Sequence, residues 1–333
     1  MSSTPDGTVK RRAYVALAQV LPPTAHVEPR GDRVLVNGHP LRVVWIGDGW
    51  LADVRAALEG ESEQPDVVVA VRISPGARRA LADASIGWVD ETGAAEVATG
   101  SIIVSKSGRP VERDQRITDW TPAVLAVTEA ILWGTKPTVA ATEEVTGLSS
   151  GSCTNALRFL TERELLAADA QRGRRSGRRI ADFNTLLRSY AHAAAAKSPP
   201  LTVQVGVAWR EPLSGLAKVA ERWNSRGRVW ACTGAVAASV LAPHLTSVGS
   251  ADVYTDGDTV LELEAAAREA GLEPIEGGRL RLRPFPTVAS RRLITSRGGL
   301  HVVPWPRVYA DLRLVGVRGE EAAEHLLEVM HGG

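Results

Sequence analysis

The sequence predicts a multidomain α/β protein, on three observations. The chain has 333 residues, too long for one ordinary hydrophobic core, so two or three domains are expected. Short β-branched runs alternate with helical patterns towards both ends. Between them, three helical patterns in succession give way to two β-like pieces joined by an arginine-rich turn. The expected divisions are residues 1–112, 118–198 and 201–333.

Composition sets the outer limits. A hydrophobic fraction of 44% and a charged fraction of 23% are those of a soluble globular protein. The formal net charge is +1, so any footprint for nucleic acid must be local. Cys153 and Cys232 lie far apart, which speaks against a disulfide framework or a zinc site. No apolar run approaches the roughly 20 residues that span a bilayer. The opening MSSTPDGTVKRR lacks the apolar region of a signal peptide. A cytoplasmic protein with no membrane partner is expected.

Taken in order, residues 10–21 read as a short helix. RVLVNG from Arg33 and PLRVVWIGDG from Pro40 are strands about Asn37-Gly38, a hairpin-turn signal. WLADVRAALEG is helical, with Trp50, Val54, Ala57 and Leu58 at core spacing. DVVVAVR from Asp66 is an apolar, central strand. Ser74-Pro75 opens a helix with a hydroxyl cap and a proline in the first turn. GWVDETG and SIIVS add two strands, and SKSGRPVERDQR reads as a linker. Small α/β domains of the restriction-endonuclease type hold a metal with an acid on one strand and an acid-x-Lys on the next. Asp66 and Asp90 are the candidates, but Ala70 and Arg72 stand where the acid and lysine are wanted. The expectation is an inert relative, with Asp90 and Glu91 serving the turn before Gly93.

The central stretch, from Trp120 to Asp182, has the order of a winged helix-turn-helix. Helix one, 121–133, buries Val124, Val127, Ile131 and Leu132. Helix two, 138–146, is capped by Thr138 and stopped by Gly147, which supplies the glycine common between paired helices. Helix three starts at Ser150 or Ser152 and turns Ala156, Leu157, Leu160 and Leu165 inward. Ser149, Ser150, Ser152, Thr154, Asn155, Arg158 and Arg163 are left at its front and outer side. Small hydroxyls and an amide there suit approach to base edges and phosphates. The turn beyond carries Arg172, Arg174, Arg175, Arg178 and Arg179 with no acid between Gln171 and Ile180. Five guanidinium groups so close together call for an anionic partner, either backbone phosphate or a narrow minor groove.

The last domain begins near Leu201. Strands are expected at LTVQVGVAWR, RVWACTG, ADVYTD, RLRLRPF and HVVP, and helices at 214–223, 259–271 and 320–331. The run TGAVAASVLAPH followed by SADVYTD resembles the core of nucleotidyltransferase folds. Those enzymes need two carboxylates two residues apart on one strand face to hold metal ions. Here Asp252 has Tyr254 at the partner position, while Asp256 belongs to the next turn and Thr233-Gly234-Ala235 lacks the second small residue. A degenerate fold without catalysis is expected.

Together the winged helix, CTGAVAASVLAP, SPGARRALADASIGWVDETG and the ending VPWPRVYADLRLVGVRGEEAAEHL are similar to the actinobacterial regulators grouped with AbiE-type (type IV) antitoxins. Pro306-x-x-Tyr309-x-Asp311-Leu312 with Arg318-Gly319-x-Glu321-Ala322-Ala323 is the most specific piece. The resemblance implies a DNA-binding part that represses its own operon and a C-terminal part that neutralises a nucleotidyltransferase toxin. The additional α/β domain before the winged helix departs from that plan. Tyr309 and Asp311 are expected to pair with Arg318 in a fold-defining cluster.

The expected function is sequence-specific double-stranded DNA binding by a homodimeric, nucleoid-associated transcriptional repressor. Single-stranded DNA is an alternative effector. No catalytic residue, metal or cofactor is expected. An antitoxin with a toxin partner protein is one alternative, and a metal-dependent DNA-acting enzyme another.

Overall fold

The computed structural model describes residues 5–31, 33–60, 63–99, 102–107, 120–168, 177–197, 201–243 and 249–331. They form a mixed α/β protein of two compact units: residues 1–114 with 315–320, and residues 115–314 with 321–333.

The first unit holds α1 (Pro5–Val20), β1 (Val27–Arg30), β2 (Arg33–Val36), β3 (His39–Trp45), α2 (Leu51–Gly60), β4 (Val67–Ala70), α3 (Pro75–Asp83), β5 (Gly87–Asp90), β6 (Ala94–Thr99) and β7 (Ile102–Ser107). The seven strands lie in one sheet in chain order. Pairing is antiparallel from β1 to β3, parallel from β3 to β5, and antiparallel from β5 to β7. Asn37 (φ 50°) and Gly38 (φ 84°) make the tight turn between β2 and β3, because a primed turn needs two positive φ angles.

Strand β4 is central, and its residues alternate between faces. Val67 and Val69 face the core beneath α1, whereas Val68 and Ala70 face the core of α2 and α3. Ser74 caps α3 by accepting from Ala77 N at 3.1 Å. Residues 315–320 complete the unit. The Glu320 carboxylate accepts from Leu51 N (2.8 Å), Ser74 Oγ (2.7 Å) and Gly76 N (3.1 Å), at the starts of α2 and α3, where helix dipoles favour a negative charge.

In the second unit, α4 (Pro122–Leu132), α5 (Val139–Thr146) and α6 (Ser150–Glu162) precede an antiparallel pair, β8 (Leu166–Ala168) with β9 (Arg178–Ile180), and then α7 (Phe183–Ala196). Thereafter come β10 (Val203–Val205), α8 (Pro212–Ser225), β11 (Trp230–Thr233), α9 (Gly234–Leu241), β12 (Ala251–Thr255), α10 (Val260–Glu269) and β13 (Leu280–Pro284). Last are α11 (Val288–Arg292), β14 (Thr295–Arg297), β15 (Leu300–Val302), α12 (Trp305–Leu312) and α13 (Val317–His331), of which residues 321–331 belong here. The six-stranded sheet runs β10-β13-β12-β11-β15-β14. Its β13–β12 and β11–β15 pairs are parallel and the others antiparallel.

A single core joins the helices to this sheet. Val127, Leu157, Leu187 and Tyr190 share it with Val236, Leu282 and Trp305. The boundary that the sequence suggests near residue 200 therefore does not separate two cores. Helix α12, which the sequence analysis does not anticipate, packs against α7 and α4, and all eight of its residues are buried. Trp305, Val308, Tyr309 and Leu312 recur at helical spacing, but Pro304 and Pro306 read locally as breakers. Both cysteines are buried and unpaired. No helix among the described residues is long and apolar enough to cross a membrane.

Candidate nucleic-acid interface

The three helices before the ribbon are punctuated by their own side chains. Thr121 Oγ1 accepts from Val124 N (3.2 Å), Thr138 Oγ1 from Ala141 N (3.3 Å) and Ser149 Oγ from Ser152 N (3.3 Å). Each satisfies an amide left over in a first helical turn, typically worth about 1 kcal/mol. Gly147 ends α5 at φ 71°, in the left-handed region where glycine has no Cβ penalty. Three residues later, at Ser150, α6 begins.

Helix α6 is about 20 Å long and divides cleanly. Cys153, Ala156, Leu157 and Leu160 are buried, whereas Ser150, Thr154, Asn155 and Arg158 are exposed and Ser152 half-buried. Leu165 is buried just beyond the helix. Arg158 donates to Asn155 Oδ1 at 3.0 Å and lies 3.7 Å from Glu162, so the amide and the guanidinium form one surface group. Ser150 Oγ donates to the Glu143 carboxylate. Such exposed pairs are worth less than about 1 kcal/mol and exchange readily for a phosphate or base edge. Arg163 lies over the Phe159 ring, 4.9 Å from its centroid.

Beyond Glu164 (φ 59°), β8 pairs with β9 so that Ala167 opposes Arg179 and Ala168 opposes Arg178. Arg178 Nε donates to Thr161 Oγ1 at 3.2 Å, tying the ribbon to α6. Arg179 is exposed. Arg172, Arg174 and Arg175 lie outside the described residues.

One cation beside this surface escapes a sequence reading. Arg292, at the end of α11, donates from Nε to Val145 O (3.0 Å) and from Nη2 to Glu144 O (3.5 Å), over the turn at Gly147. Local sequence gives no sign of a bond that spans 147 residues.

Beneath the helices lies a buried polar network. The Glu129 carboxylate of α4 accepts from Tyr190 Oη (2.9 Å), Thr287 Oγ1 (2.8 Å) and Ser290 Oγ (2.7 Å). Burial raises its pKa above the ordinary value, and the hydroxyls and the Arg307 charge offset this only in part. Nearby, Asp311 pairs with Arg307 and accepts from Thr233 Oγ1 (2.5 Å) and Tyr254 Oη (2.9 Å). Burial opposes the Arg307 charge, but Asp311 and the neighbouring tyrosines hold its pKa well above the ordinary value. Arg313 donates to Tyr309 Oη and to the Glu324 carboxylate. The cluster expected around Tyr309 and Asp311 thus exists, but with Arg313 and Arg307 as partners. Arg318 is exposed instead, because four-residue spacing along α12 brings Arg307 and Arg313 to those side chains.

The carboxylate pairs considered for metal chemistry are not brought together. Asp66 precedes β4 and accepts from Arg42 N at 2.7 Å. Asp90 ends β5, opposite Ala70, and accepts from Thr92 N (3.0 Å) and Ala94 N (3.2 Å) around the turn. The two lie at opposite strand ends, about 13 Å apart along the sheet. Asp256 pairs with Arg228 at 2.9 Å. Asp252 sits by the start of α9, where a Cβ on Gly234 would lie 3.5 Å from its Oδ2. It is held by Arg281 (2.5 Å) and Arg283 (3.6 Å). Burial nevertheless raises its pKa, the two arginines working against that.

No protein-family model, curated protein or solved structure matches the chain.

Proposed function

We propose that the chain is a sequence-specific double-stranded DNA-binding regulator whose central helices and ribbon act as a winged helix-turn-helix. One observation carries the reading: α6 presents Thr154, Asn155 and Arg158 to solvent and is followed at once by a two-stranded ribbon bearing Arg178 and Arg179. A capped, rigidly seated helix of this length fits a major groove. The amide and guanidinium of Asn155 and Arg158 have the donor–acceptor edges that read adenine and guanine. The ribbon arginines then grip phosphate or enter the minor groove.

On this reading the protein works by binding, without catalysis. The pairing of Asp252 with two arginines and the separation of the other carboxylates support that part.

Replacing Arg174, Arg175, Arg178 and Arg179 with alanine tests the proposal. Affinity for a duplex selected by the wild-type protein should fall at least about tenfold at physiological salt. The slope of log K against log salt should shrink by about 0.9 for each phosphate no longer neutralised. A variant that binds as tightly as wild type would remove the reading.

A further inference from the structure

Two features of α11 hold it against α4 and α5, the helices that precede the proposed recognition helix. At its start, Thr287 Oγ1 accepts from Ser290 N at 2.9 Å, and both hydroxyls donate to Glu129 on α4. At its end, the Arg292 guanidinium covers the last carbonyls of α5. Helix α11 packs against both α4 and α5. It is a strut pinned to one helix and clamped on the next.

The clamp sits where leverage is greatest. A cation at a helix C-terminus meets the negative end of the dipole and satisfies carbonyls that lack intrahelical partners. The turn from Gly147 to Ser149 joins α5 to α6, which also pack directly against each other. A Cβ on Gly147 would stand 2.8 Å from Arg292 Nη1. The positive φ is what calls for glycine here, and a Cβ would also press on the end of the Arg292 side chain.

We infer that Arg292 is a positioning residue for DNA readout: it fixes the turn between α5 and α6 from the sheet side of the unit. The inference rests on the DNA-binding reading above. It makes Arg292 a determinant of sequence discrimination rather than of phosphate attraction, since misplacing α6 weakens base-edge recognition and spares non-specific attraction.

The test uses the full chain and a duplex selected from random sequence by the wild-type protein, beside an unrelated duplex of equal length. Arg292→Ala should lose about tenfold in affinity for the selected duplex, lose under about twofold on the unrelated one, and keep the wild-type salt slope. Hydrogen exchange without DNA should quicken at the amides of residues 147–152. Arg292→Lys, which keeps a cation able to reach one carbonyl, should recover part of both effects. Unchanged discrimination, unchanged exchange, or a salt slope reduced by about one, the mark of a direct phosphate interaction, would each overturn the inference alone. If the wild-type protein selects no sequence, the DNA-binding reading fails and this inference fails with it.

Discussion

Glu129 shows how a single residue sets a pH dependence. Its carboxylate is sealed among three hydroxyls, and burial lifts its pKa above the ordinary 4.5. Between that value and the raised one, the folded protein keeps a proton that the unfolded chain has lost. Stability therefore falls as pH rises through this window and is flat below it. Glu129→Gln, which cannot ionise, should remove this part of the slope, so the stability difference between wild type and variant declines with pH in urea melts. Parallel pH profiles would count against it. Glu129→Ala should cost about 3 kcal/mol, because it leaves three buried hydroxyls without their acceptor. The same reasoning applies to Tyr190, whose pKa burial and the Glu129 charge hold well above the ordinary value: it remains a donor at any pH the fold survives.

At the scale of elements, α12 is the most exacting. It carries Arg307, Asp311 and Arg313 into the interior, where a charge is tolerable only when paired. Asp311→Ala should cost about 3–5 kcal/mol by stranding the Arg307 guanidinium. Replacing both residues with apolar ones of similar volume should recover most of the loss, as chemical denaturation of the single and double variants would show. Two prolines explain why α12 is easily overlooked in a sequence reading. Pro304 and Pro306 resemble breakers, although Trp305, Val308, Tyr309 and Leu312 keep helical spacing. Where the signal is local, the sequence is a good guide: Thr138, Gly147 and Ser74-Pro75 mark helix ends that the structure keeps. Strand β6 (AAEVAT) lacks that advantage, because alanine is a weak strand former. In the candidate interface, the outward and inward faces of α6 follow from periodicity alone. The Arg292 clamp and the Glu129 network depend on residues more than a hundred positions away, which only the folded chain brings near.

At the scale of the whole molecule, the second unit is larger than the domain that sequence punctuation suggests. Leu187 and Tyr190 on one side of residue 200 pack in the same core as Leu282 and Trp305 on the other. A fragment of residues 118–198 would expose that apolar surface and strip Glu129 of Thr287 and Ser290. It should lack a cooperative thermal transition by circular dichroism, whereas the full chain melts cooperatively. A sharp transition in the fragment would show the helices to be self-sufficient.

The two cysteines have a practical consequence. Cys153 and Cys232 are both fully buried, and burial pushes the Cys232 thiol up to about 12. Neither side chain offers an accessible thiolate to an alkylating reagent while the chain is folded. A third cysteine placed at exposed Thr154 or Arg179 would therefore take a maleimide dye selectively, with the native thiols left in place. That gives a fluorescent reporter on α6 or on the ribbon, in an otherwise unaltered protein.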